Sequence, residues 1–552
     1  MDLTRARTVV VGVVLAVVAV LGWTTPADAA DAAARCAALA GLDIPARAVG
    51  LPTTGGEVTE VALVAPSGSG TTAIGEYCRV TAALHPVDPA APDIRVQVAL
   101  PTTWNHKALM FGGGGYDGTI PALDGNVPFG PNDAARPLGR GYATFASDSG
   151  HQAPAGFLPS PSLYGEFLAN DEALRNFAGD ALKKTRDAAV FVLGRYYDRS
   201  TPERTYFAGG STGGREALAV AQRWARDFDG VISVYPAFDA ATLDLYFGHM
   251  TRQLAAPGAF PRPAQQVLLY DAVMAACDGL DGLTDGVISD EPACHFDPVV
   301  LRCPEGQDTG DTCLSDPQIT AIRAVSSAIA FPYPLASGET GYPGFPFLSG
   351  ADTSTPLLGL GTTAPATPMP ETAGYGMQFW DAWVEYAVTR DPGHDSLSLD
   401  PLAPGPWQDR ISELTALQDV NNTDLRPFAR RGGKLLLLHG TADELVSHRA
   451  TVEYYEGLVQ TMGQRRVDAF ARFYLVPGAD HANRAAAFAA GWDSLTALDA
   501  WVTTGAAPAD PVVRDTNPGA TRTRPLCEYP AYPRYSGSGS PDEASSFDCV
   551  TG

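Results

Sequence analysis

Charge is scarce in this chain. Only 18% of its 552 residues are Asp, Glu, Lys or Arg. The shortage falls on the cations, 38 Lys and Arg against 62 Asp and Glu, and the formal net charge is −24. A surface that acidic repels phosphate backbones and anionic headgroups, which argues against nucleic-acid binding and against docking on anionic membranes. No Cys-x-x-Cys pair suggests a zinc site. Beyond the first 23 residues no apolar run is long enough to cross a bilayer. Motifs for flavin, nicotinamide or phosphate binding are missing as well.

The amino terminus is distinctive. Arg5 and Arg7 precede the apolar run Val9 to Trp23, and Ala27-Asp28-Ala29 has the small-x-small form of a cleavage site. Residues 1–29 are expected to be a secretory signal peptide, which makes the mature chain extracellular. All eight cysteines lie beyond it, and an even count in an exported chain argues for disulfides. Their clustering suggests pairing of neighbours: Cys36 with Cys78, Cys277 with Cys294, Cys303 with Cys313 and Cys527 with Cys549.

The chain is organised around Gly209-Gly210-Ser211-Thr212-Gly213, a Gly-x-Ser-x-Gly pentapeptide. It follows the apolar run Tyr206 to Ala208, which reads as a strand, and precedes Glu216 to Arg226, which reads as a helix with Leu218, Ala221 and Trp224 on one face. A serine on such a turn stands exposed above a sheet edge at a helix start: the nucleophile elbow of α/β hydrolases. Upstream, Ile94 to Leu100 alternates as a strand, and Trp104 to Phe111 is a strand running into the glycines 112–115. Those glycines suit a backbone N–H cradle for an oxyanion, with Gly114 or Gly115 sharing the role with Thr212. Gly141 to Ser149 and Val231 to Tyr235 read as further strands, and Ala173 to Tyr197 as one long helix. The alternation predicts an α/β-hydrolase core, a mostly parallel sheet with helices on both faces.

From about Phe238 to Val420 the alternation stops, and Lys434 to Gly440 then resumes it as a buried strand. The expected organisation is a catalytic domain built from 30–237 and 421–552, interrupted by a lid domain over 238–420. Asp443 follows the strand 434–438, and His481 follows the apolar run 469–476. The order Ser211, Asp443, His481, with both later residues just past strand ends, is that of an α/β-hydrolase triad. In the lid, Asp278, Asp281 and Asp285, spaced by glycines between Cys277 and Cys294, could converge on one hard cation. The carbonyls of Leu283 and Val287 would complete an oxygen shell, and calcium suits that set.

The glycines at 112–115, Ser-Thr-Gly-Gly-Arg at 211–215, the Cys-Asp-Gly-x-Asp-Gly-x-x-Asp-Gly-Val loop at 277–287 and Asp480-His481 resemble the tannase/feruloyl esterase family, which includes mono(2-hydroxyethyl) terephthalate hydrolases. The resemblance implies one structural calcium, a large lid and hydrolysis of esters of phenolic or terephthalic acids. It places the nucleophile on Ser211, the acid on Asp443 and the base on His481, and calcium on Asp278, Asp281, Leu283, Asp285 and Val287. The family normally carries a disulfide between the residue before the serine and the one after the histidine. Here those are Gly210 and Ala482, which suggests a divergent branch. The small-molecule partner is thus an aromatic ester. Tyr375, Phe379, Trp380, Trp383 and Tyr386 are candidate pocket walls, and Arg390 a candidate partner for a free carboxylate. A serine peptidase on the same core and a non-catalytic calcium-stabilised binding protein are the competing functions.

Overall fold

A computed structural model describes residues 26–199, 201–485 and 487–552. The expected signal peptide lies outside the described residues up to position 25, and a helix begins at Pro26. Among the described residues no helix is long and apolar enough to cross a membrane.

Ten strands form the central sheet: β1 (Asp43–Ile44), β2 (Gly55–Val64), β3 (Tyr77–His85), β4 (Ile94–Pro101), β5 (Lys107–Phe111), β6 (Ala143–Ser147), β7 (Arg204–Gly210), β8 (Gly230–Val234), β9 (Lys434–Gly440) and β10 (Ala471–Val476). Their order is β1-β2-β3-β4-β6-β5-β7-β8-β9-β10. The first four are antiparallel, as is β4 against β6, and everything from β6 to β10 is parallel. Hairpins join the antiparallel part, and the parallel part needs crossovers.

Strand alternation distributes the core. In β7, Phe207 packs on one face while Tyr206 and Ala208 pack on the other. In β9, Leu435 and Leu437 go to the first face, Leu436 and Leu438 to the second. Both faces are covered, which is why these strands read as continuous apolar runs.

The long helix expected over 173–197 is broken. A short helix Asp171–Arg175 and a wide turn Asn176–Asp180 precede the helix Ala181–Tyr197. Gly179, at φ 142°, makes the break, and a Cβ there would meet an Arg223 guanidinium nitrogen at 2.7 Å. Only glycine allows both the turn and the close approach. The elbow helix starts at Thr212, directly after the serine, and ends at Arg223, leaving Trp224 outside it.

Between β8 and β9 the chain adds no strand to the central sheet. It forms helices Ala240–Ala255, Pro263–Cys277, Asp316–Ser326, Tyr375–Ala382 and Gln408–Gln418. The helix Ala240–Ala255 packs against both Tyr375–Ala382 and Asp316–Ser326.

Four disulfides join neighbouring cysteines: 36–78, 277–294, 303–313 and 527–549. No described cysteine is free. Each bridge removes chain entropy from the unfolded state, a contribution of about 2–4 kcal/mol apiece.

Candidate active site

Ser211 stands at the end of β7 with φ 60° and ψ −123°. A non-glycine residue at positive φ is held there only because its surroundings fix it. Ser211 N–H donates to Val234 O of β8 (3.1 Å), and Ser211 O accepts from Arg215 N–H (3.0 Å). Sharp turning of the backbone demands close contacts. Gly112 lies so near the elbow that a Cβ on it would come 2.7 Å from Gly213 Cα.

The loops after β9 and β10 bring Asp443 and His481 to the same sheet edge. His481 Nε2 is 3.1 Å from Ser211 Oγ, and His481 Nδ1 is 2.9 Å from Asp443 Oδ2. An ionised Asp443 requires the proton on Nδ1, which leaves Nε2 free to accept from the serine hydroxyl. Asp443 is fully buried. Its Oδ1 accepts N–H bonds from Leu445 (2.9 Å) and Val446 (2.7 Å). Burial alone would raise its pKa, but the neighbouring His481 and the hydrogen bonds from His439 and His481 outweigh burial and hold it below the ordinary carboxylate range. His439, also buried, puts Nε2 3.0 Å from Val446 O and 3.2 Å from Asp443 Oδ2. A carbonyl can only accept, so Nε2 carries the hydrogen and Nδ1 accepts from Thr451 Oγ1 at 2.8 Å. The sequence singled out Asp443 but gave no sign that His439 braces it.

The glycine loop can be accounted for donor by donor. Gly112 N–H donates to Ala208 O, Tyr116 N–H to Ser162 O and Asp117 N–H to Gly114 O. Gly113 N–H donates to Glu216 Oε2 at 2.9 Å. The N–H groups of Gly114, Gly115 and Thr212 have no partner among the described residues. Thr212 Oγ1 donates to Gly115 O at 2.6 Å and ties elbow to loop. Three free donors around one serine are the equipment for receiving a developing oxyanion.

Beneath the loop lies a buried acidic pair that the sequence reading missed. Asp117 Oδ2 accepts from Ser149 Oγ at 2.8 Å, and the same hydroxyl is 3.5 Å from Glu216 Oε1. Burial pushes Asp117 up to about 6. Burial and the charge of Asp117 push Glu216 well above the usual range. Glu444 is similarly raised by burial and by Asp443, and its Oε2 accepts His481 N–H at 3.2 Å. Such residues carry no motif, because their role depends on what folds over them.

A narrow cavity opens at Ser211, walled by Tyr116, Phe177, Leu243, Phe247, Phe379 and Val446, with Asp244 and Gln418 in its lining. A wider one of about 510 Å³ is lined by Gly286, Asp480 and Ala482, and Ser211 is not in its wall. Of the expected wall aromatics, Phe379 lines the Ser211 cavity. Trp380 and Trp383 are fully buried core residues that donate to Ser396 O and Gln418 Oε1. Tyr375 touches Phe379, and Tyr386 lines a different surface cleft. Arg390 is not in the Ser211 cavity. It is exposed and bonded to Asp171.

The acidic loop is held by its own hydrogen bonds and by one ion pair. Asp278 accepts N–H bonds from Asp285 (3.1 Å), Gly286 (2.9 Å) and Val287 (3.2 Å). Asp281 Oδ1 accepts from Leu283 N–H (3.1 Å), and Asp285 is ion-paired with Arg524. Among the described residues no three His, Cys, Asp or Glu side chains form a group able to hold a metal ion. As arranged, the carboxylates satisfy the loop's own donors and Arg524.

Comparison with known proteins adds the following. Residues 78–550 match the family described as tannase and feruloyl esterase. The chain is 38% identical to an uncharacterized esterase of Agrobacterium fabrum, over 94% of each chain. It is 30% identical to the mono(2-hydroxyethyl) terephthalate hydrolase of Piscinibacter sakaiensis, over 89% of this chain and 88% of that one. Among solved structures it is similar in fold to feruloyl esterase B of Aspergillus oryzae, with a TM-score of 0.73 at 24% identity, covering 94% of this chain and 99% of that one. The separate, divergent branch inferred from Gly210 and Ala482 finds no support: the family match runs nearly end to end and four disulfides are in place.

Proposed function

Because the chain belongs to the tannase and feruloyl esterase family and is a carboxylic ester hydrolase, we propose that it is exported and cleaves esters of phenolic or terephthalic acids through Ser211, His481 and Asp443. The observation that carries this reading is the unbroken chain Ser211 Oγ, His481 and Asp443, at 3.1 and 2.9 Å. His481 Nε2 takes the hydroxyl proton as Ser211 Oγ attacks the ester carbon. The N–H groups of Thr212 and of Gly114 or Gly115 receive the negative charge on the former carbonyl oxygen. The imidazolium, steadied by Asp443, then protonates the departing alcohol and leaves an acyl-enzyme. Water, deprotonated by the same His481, attacks the acyl-enzyme and releases the acid. The aromatic cavity wall supports a ring on the acyl side, and the four disulfides support export.

Calcium in the loop 278–287 is part of the same proposal. Asp278, Asp281, Asp285 and the carbonyls of Leu283 and Val287 are the oxygen donors a hard cation takes, with Asp285 exchanging Arg524 for the ion. No catalytic step runs through it.

The test is labelling by a fluorophosphonate together with turnover of feruloyl, galloyl and terephthaloyl esters. Labelling at Ser211 and cleavage of at least one of the three are expected. Hydrolysis that survives full labelling would place the nucleophile elsewhere.

A further inference from the structure

The Ser211 cavity holds one carboxyl that nothing in the fold uses. Asp244, on the helix Ala240–Ala255, lines the cavity and is 6% exposed. Among the described residues it makes neither a hydrogen bond nor an ion pair. Arg215 lies in the same region, but its guanidinium stacks over the Phe177 ring at 4.3 Å and donates to Phe177 O at 2.9 Å. A buried carboxyl without partners costs stability unless something binds it. Of the Arg215 guanidinium, Nη1 has no hydrogen-bond partner among the described residues, and the neighbouring carboxyl of Asp419 is committed. Asp419 accepts from Ala241 N–H and from the Thr242 N–H and hydroxyl.

Gln418 shares the cavity wall with Asp244. Its Oε1 accepts the Trp383 indole N–H at 3.0 Å, which fixes the amide orientation. Its NH2 group has no partner among the described residues. The cavity therefore offers one carboxyl and one amide donor in a wall that is otherwise phenyl and alkyl, beside the nucleophile. No Lys, Arg or His lines it. Burial and the charge of Asp419 push the Asp244 carboxyl well above the ordinary carboxylate range, against the pull of Arg215.

On the reading that the acyl group is aromatic, we propose that Asp244, with Gln418, is the specificity residue of this site: it takes a phenolic hydroxyl on the acyl ring and turns away a ring bearing a free carboxylate. A phenol donates to Asp244 and accepts from Gln418 while remaining neutral. A ring carboxylate would be a second buried acid with no cation in the cavity wall to meet it, since Arg215 is outside the lining, stacked on Phe177 and bonded to its carbonyl, and Arg390, the sequence candidate, is spent on Asp171 at the surface. Sites that hydrogen-bond a substrate hydroxyl reject the analogue lacking it, because their own polar groups are then left unpaired.

The experiment compares kcat/KM of the full chain for methyl 4-hydroxycinnamate, methyl cinnamate and monomethyl terephthalate, in the wild type, Asp244→Asn and Asp244→Leu. The wild type is expected to favour the hydroxylated ester over the unsubstituted one by roughly 10–100-fold, and to cleave the terephthalate monoester least. Asp244→Leu should bring the hydroxyl preference close to one, and Asp244→Asn, which keeps an acceptor and a donor, should restore part of it. A purely structural Asp244 would alter turnover of all three esters alike and leave the ratio unmoved, which overturns the inference. So would a terephthalate monoester cleaved as fast as the phenolic one. If no aromatic ester is cleaved while p-nitrophenyl acetate is, the aromatic reading itself falls and takes this inference with it. If the leucine variant does not fold, the asparagine variant still decides: a hydroxyl preference lowered from the wild-type ratio supports the inference, and an unmoved ratio overturns it.

Discussion

The Tyr235 ring stands where a side chain on Gly210 would go. A Cβ built on Gly210 comes 2.6 Å from Cε2, Cζ and the hydroxyl oxygen of Tyr235. The same ring lies 4.9 Å from the His481 ring and 5.3 Å from Phe129, and Tyr235 itself sits at φ 35°. One bulky residue in a strained conformation thus fills the floor between nucleophile and base. Gly210 is outside the left-handed region. What forbids a side chain there is the ring, not backbone strain.

Gly210→Ala is therefore expected to push Tyr235 against His481. Overpacking of this kind costs about 1–3 kcal/mol, and kcat should fall with it. Introducing cysteines at both Gly210 and Ala482 should lower activity while Tyr235 is present. Thermal melting and kcat of Gly210→Ala, alone and combined with Tyr235→Ala, check this. Recovery of activity in the combined variant is the expected result, and an unimpaired single variant would contradict it.

Ser211→Ala should leave the fold intact and remove turnover by about 10⁴-fold or more, the residue being oxyanion stabilisation and binding alone. Asp443→Asn should cost about 10⁴-fold, because the asparagine no longer specifies the His481 tautomer. Steady-state kinetics with matched melting curves decide both.

The Asp117–Glu216 pair gives stability a definite pH slope. The folded protein holds the Asp117 proton up to about pH 6, whereas the unfolded chain loses it near the ordinary value of 3.8. The folded state therefore binds more protons between about pH 4 and pH 6. Its contribution is complete below that window and is lost as pH rises through about 6, a change on the order of 2–3 kcal/mol. Melting temperatures across pH 4–8 should fall more steeply for the wild type than for Asp117→Asn. Parallel curves would refute the assignment.

Chelation tests the acidic loop. With calcium in place, EDTA should lower the melting temperature by several degrees, and activity should decline only as melting approaches the assay temperature. The combined Asp281→Ala and Asp285→Ala variant should lose that response, and its calcium content by elemental analysis should fall. A wild type with no bound calcium and no EDTA effect would leave the loop held by Arg524 and its own N–H groups.

Much of this protein is determined by local sequence. The turn at Gly209–Gly213 needs its glycines for close approach, the apolar runs 206–208, 231–234 and 435–438 need two covered faces, and cysteines close in sequence find each other first. The strand and turn constraints act over a few residues and the bridges close loops of 10 to 42 residues, so the α/β sheet and all four bridges were legible in the chain, as was the order in which Ser211, Asp443 and His481 follow their strands. Helix continuity across Gly179 was not, because the break answers to Arg223 more than forty positions away. Only tertiary structure decided that Tyr235 fills the place beside Gly210, that Arg390 is spent on Asp171, that Arg524 reaches Asp285, and that Asp244 is left without a partner in the Ser211 cavity. The physical reason is the same in each case. A charge or a ring acquires its role from the groups that desolvate, pair with or crowd it, and for these residues those groups come from distant parts of the chain.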